Sequence, residues 1–186
     1  MRRTNGPEKL QTLEKPHIAF VGAGNMASSI IGGLLESGHC AQQISAADPF
    51  PESLERLREI AAVKTFADNA GAVAGADVVI LAVKPQVMAE ACASIAGAVA
   101  DSGALVISIA AGITIASMQA RLGDQAAIVR CMPNTPALLG CGATGLYAND
   151  QVSAGQRELA ADILAAVGIT RWVASEQDLD AVTALS

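Results

Sequence analysis

Short apolar runs alternate with longer amphipathic stretches along nearly the whole chain, separated by brief Gly-, Pro- and Asn-containing punctuation. A run too short for a helix and apolar at every position marks a parallel strand covered on both faces. Strands are predicted on this basis at 17–21, 44–48, 63–66, 77–83, 104–108, 126–131, 142–147 and 169–173. Helices are predicted at 25–37, 51–61, 86–99, 114–121 and 153–167, with a helical turn or two at 69–75 and a last helix from Ser175. Pro51 suits a first helical turn, where its missing N–H costs nothing. Ser153 and Gln156 have the spacing of a capping box. Residues 132–136, Met-Pro-Asn-Thr-Pro, are expected to be irregular because prolines bracket them. The alternation predicts an α/β fold, a doubly wound, mostly parallel Rossmann-type sheet with helices on both faces.

The first strand runs directly into Val21-Gly22-Ala23-Gly24-Asn25-Met26-Ala27. Gly22 permits a sharp turn out of the strand, Gly24 lets a diphosphate approach the main chain, and Ala27 takes the third small position against the sheet. The following helix directs free N–H groups and its positive dipole end at that diphosphate. Asp48, at the end of the second strand, lies at the spacing expected of a ribose partner. The pattern points to a nicotinamide dinucleotide.

Composition narrows the picture. Hydrophobic residues make up 52% of the 186 residues and aromatics only 3%, so the core is built from Ala, Val, Ile and Leu. The net charge of −6, without a basic run beyond Arg2-Arg3, argues against a nucleic-acid partner. No apolar run reaches the roughly 20 residues that span a bilayer, so no membrane partner is expected. Residues 1–16 are polar and read as a mobile extension without the apolar stretch of a signal peptide. Cys40, Cys92, Cys131 and Cys141 have neither paired spacing nor a neighbouring His, so no metal site or disulfide framework is expected, and a reducing cytoplasm is.

In an open α/β sheet the ligand lies beyond the carboxyl ends of the strands. Four segments there stand out: 22–26, 82–86 around Lys84, 108–112, and 132–136. His17 opens the first strand, at the wrong end of the sheet, and His39 follows the first helix; neither reads as catalytic. Reduction of a ketone usually needs a proton donor beside the oxygen. An imine can arrive already protonated, so a C=N acceptor suits a site without an obvious acid, although an acid on another part of the molecule would serve equally. No catalytic residue is assigned.

Taken together, Val21-Gly-Ala-Gly-Asn-Met-Ala, Val83-Lys-Pro-Gln, Ser108-Ile-Ala-Ala-Gly-Ile-Thr, Arg130-Cys-Met-Pro-Asn-Thr-Pro-Ala and Asp180-Ala-Val-Thr-Ala-Leu-Ser resemble the pyrroline-5-carboxylate reductase family across residues 17–186. The resemblance implies hydride transfer from NADPH or NADH to the cyclic imine 1-pyrroline-5-carboxylate, giving L-proline. It implies that Val21, Gly22, Ala23, Gly24, Asn25 and Met26 hold the pyrophosphate and that Asp48 and Asn69 face the adenosine ribose. Val83, Lys84, Ile109, Ala110 and Ala111 would line the nicotinamide; Met132, Asn134 and Thr135 would border the substrate. The acid at Asp48 departs from the neutral or basic residue of many relatives and leaves NADH against NADPH open. Family members continue past the equivalent of Ser186 into a helical domain that builds a homo-oligomer. The expected organisation is therefore an extension at 1–16, a dinucleotide-binding domain at 17–174 and the start of a dimerisation domain at 175–186. Such a fragment is expected to bind cofactor and to be inactive alone. Another NAD(P)-dependent oxidoreductase, F420-linked or acting on a hydroxyacid, and a non-catalytic dinucleotide-binding module are the alternatives.

Overall fold

The computed structural model of the chain describes residues 15–183. Most of the expected N-terminal extension, and Leu185 with Ser186 at the other end, lie outside the described residues.

Among the described residues, eight strands form one sheet in the order β3-β2-β1-β4-β5-β6-β7-β8. They are β1 (Ile18–Val21), β2 (Ile44–Ala47), β3 (Lys64–Phe66), β4 (Val78–Leu81), β5 (Leu105–Ser108), β6 (Ile128–Pro133), β7 (Gly142–Ala148) and β8 (Gly168–Trp172). The first six run parallel; β7 is antiparallel to β6, and β8 is parallel to β7. The helices are α1 (Asn25–Glu36), α2 (Pro51–Ile60), α3 (Asn69–Val73), α4 (Met88–Ser102), α5 (Ile115–Leu122), α6 (Ala154–Ala165) and α7 (Glu176–Thr183).

Alternation along the strands sorts the core into two layers. Ile18, Phe20, Ile44, Ile80, Ile107 and Val129 point toward α1, α2 and α6, while Ala19, Val21, Val79, Leu81, Val106 and Ile128 point toward α3, α4 and α5. Small residues bring the layers close. A Cβ at Gly33 of α1 would come within 2.2 Å of the Ala166 carbonyl oxygen at the end of α6. The capping box is present, with the Ser153 hydroxyl accepting from the Gln156 N–H at 3.2 Å and the Gln156 side chain accepting from the Ser153 N–H at 3.0 Å. Among the described residues no helix is long and apolar enough to cross a membrane.

One expectation is corrected. Residues 132–136 are not irregular throughout, because β6 extends through Met132 and Pro133, and a 3₁₀ turn, Thr135–Leu139, follows. The Asn134 N–H points to β7, where it donates to the Ala143 carbonyl at 3.3 Å. In a strand the neighbouring nitrogen points the other way. Pro133 therefore turns its nitrogen toward β5, whose pairing with β6 has already ended at Ser108 opposite Arg130. The missing donor has no ladder partner to lose, which is where proline is tolerated.

Candidate functional site

The two glycines of the first turn have different jobs. Gly22 has φ +100°, and a Cβ there would lie 2.4 Å from the Ala82 carbonyl oxygen, so only glycine lets the chain pass β4. Gly24 caps α1 at φ −75° and ψ −175°, which any residue adopts, yet a Cβ there would meet no protein atom within 4 Å. That space opens over the first turn of α1, which has no side-chain cap and no acidic residue. Its first N–H groups remain available to an anion. Ala27, 1% exposed, sits against the sheet as the third small position.

Asp48 does work that its spacing did not reveal. One carboxylate oxygen accepts from the Ala23 N–H at 2.8 Å and the other from the Phe50 N–H at 2.9 Å. The side chain thus fastens the glycine turn to the end of β2. Asn69 opens α3, half-buried, and its amide donates to Ser94 Oγ at 2.9 Å.

The segments after β4 and β5 lie side by side, because the Ile109 N–H donates to the Leu81 carbonyl at 3.1 Å. Val83 is half-buried, and Lys84 is exposed at the head of a 3₁₀ turn, Pro85–Val87. Ile109 is half-buried, Ala110 buried and Ala111 exposed. On β6, Met132 is half-buried, and Asn134 Oδ1 accepts from the Ala143 N–H at 2.9 Å, closing the loop that holds the 3₁₀ turn. Thr135 begins that turn. Val21, Gly22, Ala23, Gly24, Asn25 and Met26, with Asp48, Val83, Lys84, Ile109, Ala110, Ala111, Met132 and Asn134, all follow or end strands at the carboxyl edge of the sheet. A groove of about 340 Å³ beside the glycine turn is lined by Ala23, Asn25, Ser28, Arg56, Ile60 and Leu138, among others.

Two residues without an assigned role in the sequence reading matter here. Arg130, 3% exposed, bonds through its guanidinium to Glu176 Oε1 at 3.2 Å, and the same oxygen accepts from the Ile115 N–H at 2.8 Å. The signal was a lone cation in an otherwise apolar strand, since a buried charge requires a partner. Its neighbour Cys131 is buried, with its thiol donating to the Ser108 carbonyl at 3.2 Å, and burial pushes that thiol well above its ordinary range while Arg130 opposes the shift.

The histidines lie away from this edge. The His17 ring spans the amino ends of β1 and β2, with Nδ1 3.3 Å from the Gly75 carbonyl and Nε2 3.1 Å from Ser45 Oγ. His39 is half-buried after α1. Among the described residues no cluster of three or more His, Cys, Asp or Glu side chains is placed to hold a metal.

Residues 17–112 match the family model described as NADP oxidoreductase, coenzyme F420-dependent. A pyrroline-5-carboxylate reductase of Pseudomonas aeruginosa is 53% identical over 174 residues, covering 94% of this chain and 63% of that protein. The solved structure of a pyrroline-5-carboxylate reductase from Coxiella burnetii superposes with a TM-score of 0.89 at 39% identity, covering 92% of this chain and 63% of that one. That of a Plasmodium falciparum pyrroline carboxylate reductase with NADP bound gives 0.81 at 26% identity, over 93% and 63%. The chain spans about 63% of the length of the Pseudomonas relative.

Proposed function

The chain belongs to the family described as NADP oxidoreductase, coenzyme F420-dependent, and from that premise we propose that it is the dinucleotide-binding portion of a pyrroline-5-carboxylate reductase, taking NADPH or NADH. The identity of 53% over 94% of the chain carries this reading. The geometry supports it. The open space over Gly24 and the uncapped start of α1 fit a pyrophosphate, whereas a side chain at that position would fill the space.

The bound dinucleotide supplies hydride. The chain seats it: residues 21–26 receive the pyrophosphate, with Asp48 holding the turn in shape and, together with Asn69, facing the adenosine ribose. Val83, Lys84, Ile109, Ala110 and Ala111 line the nicotinamide side of the crevice, and Met132, Asn134 and Thr135 border 1-pyrroline-5-carboxylate. The product is L-proline. The whole protein is read as a cytoplasmic homo-oligomer.

A second reading, an F420-linked oxidoreductase, draws on the description of the matching family. That match ends at residue 112, before Met-Pro-Asn-Thr-Pro at 132–136, and so does not touch the segment that distinguishes the two. Calorimetry on the folded chain tests the proposal at its cofactor half, with measurable binding of NADPH or NADH expected. A folded chain that binds neither refutes it. Proline formation by a protein that carries this chain within the relatives' full length tests the other half.

A further inference from the structure

We infer that Glu176 is a positioning residue that locks the 109–114 loop, strand β6 and helix α7 into one unit, so that engagement of a nicotinamide ring is felt at α7. The inference rests on the reading of 109–111 as the nicotinamide wall.

The loop between β5 and α5 is fastened at both ends. At its start the Ile109 N–H donates to the Leu81 carbonyl at 3.1 Å. At its end the first N–H groups of α5 lack helical partners; Thr114 Oγ1 accepts that of Ser117 at 3.2 Å, and Glu176, 61 positions along the chain, accepts that of Ile115 at 2.8 Å. Between these anchors Ala111 and Gly112 are exposed.

The oxygen that takes the Ile115 N–H also takes the Arg130 guanidinium at 3.2 Å. Arg130 belongs to β6, the strand that continues into Met132 and Asn134. One carboxylate oxygen therefore ties the loop proposed to face the nicotinamide to the strand proposed to border the substrate. It also starts α7, which packs on β6 and β7. The Glu176 side chain is 25% exposed and Arg130 3%, so water screens this junction weakly. Hydride transfer requires donor and acceptor held about 3–3.5 Å apart, and on this reading Glu176 joins the two walls between which they would lie. Because coupling is reciprocal, a ligand that orders the loop also steadies α7.

The test compares the parent chain with Glu176→Ala, which removes both interactions, and Glu176→Gln, which keeps an oxygen for the Ile115 N–H and removes the charge facing Arg130. Two ligands are titrated: the reduced dinucleotide the parent prefers, and its nicotinamide-free counterpart, ADP-ribose or 2′-phospho-ADP-ribose. Glu176→Ala is expected to weaken the dinucleotide by at least about fivefold, the low end of measured site-to-site coupling, and to leave the nicotinamide-free ligand unchanged. Glu176→Gln should fall between, and decides the matter if the alanine variant does not fold. Hydrogen exchange in α7 should slow with the dinucleotide, not with the nicotinamide-free ligand, and this difference should vanish in Glu176→Ala. Equal weakening of both ligands, or of neither, overturns the inference while leaving the cofactor site standing. A parent chain that binds neither ligand overturns the cofactor reading, and this inference with it.

Discussion

Replacing Gly24 separates binding from folding. No protein atom lies within 4 Å of a Cβ built there, and φ −75° suits any L-residue. Gly24→Val should therefore change folded stability by no more than about 1 kcal/mol, the scale of cap-residue effects. The same side chain would stand in the space proposed for the pyrophosphate and push it off the start of α1. Losing two charge-assisted hydrogen bonds at about 1.5–3 kcal/mol each gives about 3–6 kcal/mol, or a loss of affinity between about 100-fold and 10⁴-fold. Gly22→Ala is the control with the opposite outcome. Its Cβ would come 2.4 Å from the Ala82 oxygen and 2.8 Å from the Ala82 carbonyl carbon at φ +100°. Strain and overpacking of this kind cost about 2–6 kcal/mol together. Calorimetric titration with NADPH and NADH reads the first effect, and thermal unfolding reads the second. A folded Gly24→Val chain that binds within about threefold of the parent, under 1 kcal/mol, would falsify the assignment of this turn.

Asp48→Ser strips acceptors from the N–H groups of buried Ala23 and exposed Phe50; about 2 kcal/mol of stability should be lost, most of it at the buried donor. If the carboxylate also faces the ribose, the affinity ratio should move toward NADPH by about tenfold, since a charge about 4 Å from a 2′-phosphate costs roughly 1 kcal/mol or more; an unchanged ratio in titrations places its charge out of the ribose's reach. Burial, and to a lesser extent Lys15, lower the His39 pKa below its usual 6.5 against the opposing Pro16 backbone bond, and its buried Nε2 has no hydrogen-bond partner among the described residues. The unfolded chain therefore binds that proton more readily, so stability is full above about pH 6.5 and falls as pH drops through the lowered folded value. His39→Gln should flatten that decline in melts run from pH 7.5 to 5; an identical slope refutes it. Of the four thiols, Cys40 and Cys141 are exposed while Cys92 and Cys131 are buried with raised pKa, so a thiol reagent should label two quickly and two only on unfolding. Rapid labelling of Cys131 would contradict its place in the core.

The sheet was legible because its inner strands are largely apolar on both faces and too short for helices, a combination that Val78–Leu81 displays without interruption. Pro133 was misread because its tolerance depends on which side of β6 still has a partner, and that is a property of the neighbouring strand. The glycine turn was legible for a local reason, since the spacing of small residues and the strand before them are written in one segment. Asp48 was only half legible. Its carboxylate meets the Ala23 N–H because the β1–β2 register sets Val21 level with Ala47, bringing the residues just beyond the two strands together. Asn134 likewise suggested a substrate contact, yet its side-chain oxygen is engaged with the Ala143 N–H nine positions on.

Asp48 and Glu176 stand on different elements, yet both spend carboxylate oxygens on main-chain N–H groups of loops at the carboxyl edge of the sheet. A carboxylate whose oxygens are so engaged fixes the geometry of the loop it bonds. The histidines are remote from the edge, and Cys131 is held protonated in the core. Asp48, legible as candidate chemistry, and Glu176, which was not, both hold loop geometry here. On the proposed reading, a substrate that arrives as a protonated C=N would need hydride and alignment from this half of the site, and these two carboxylates would hold the loops that align it.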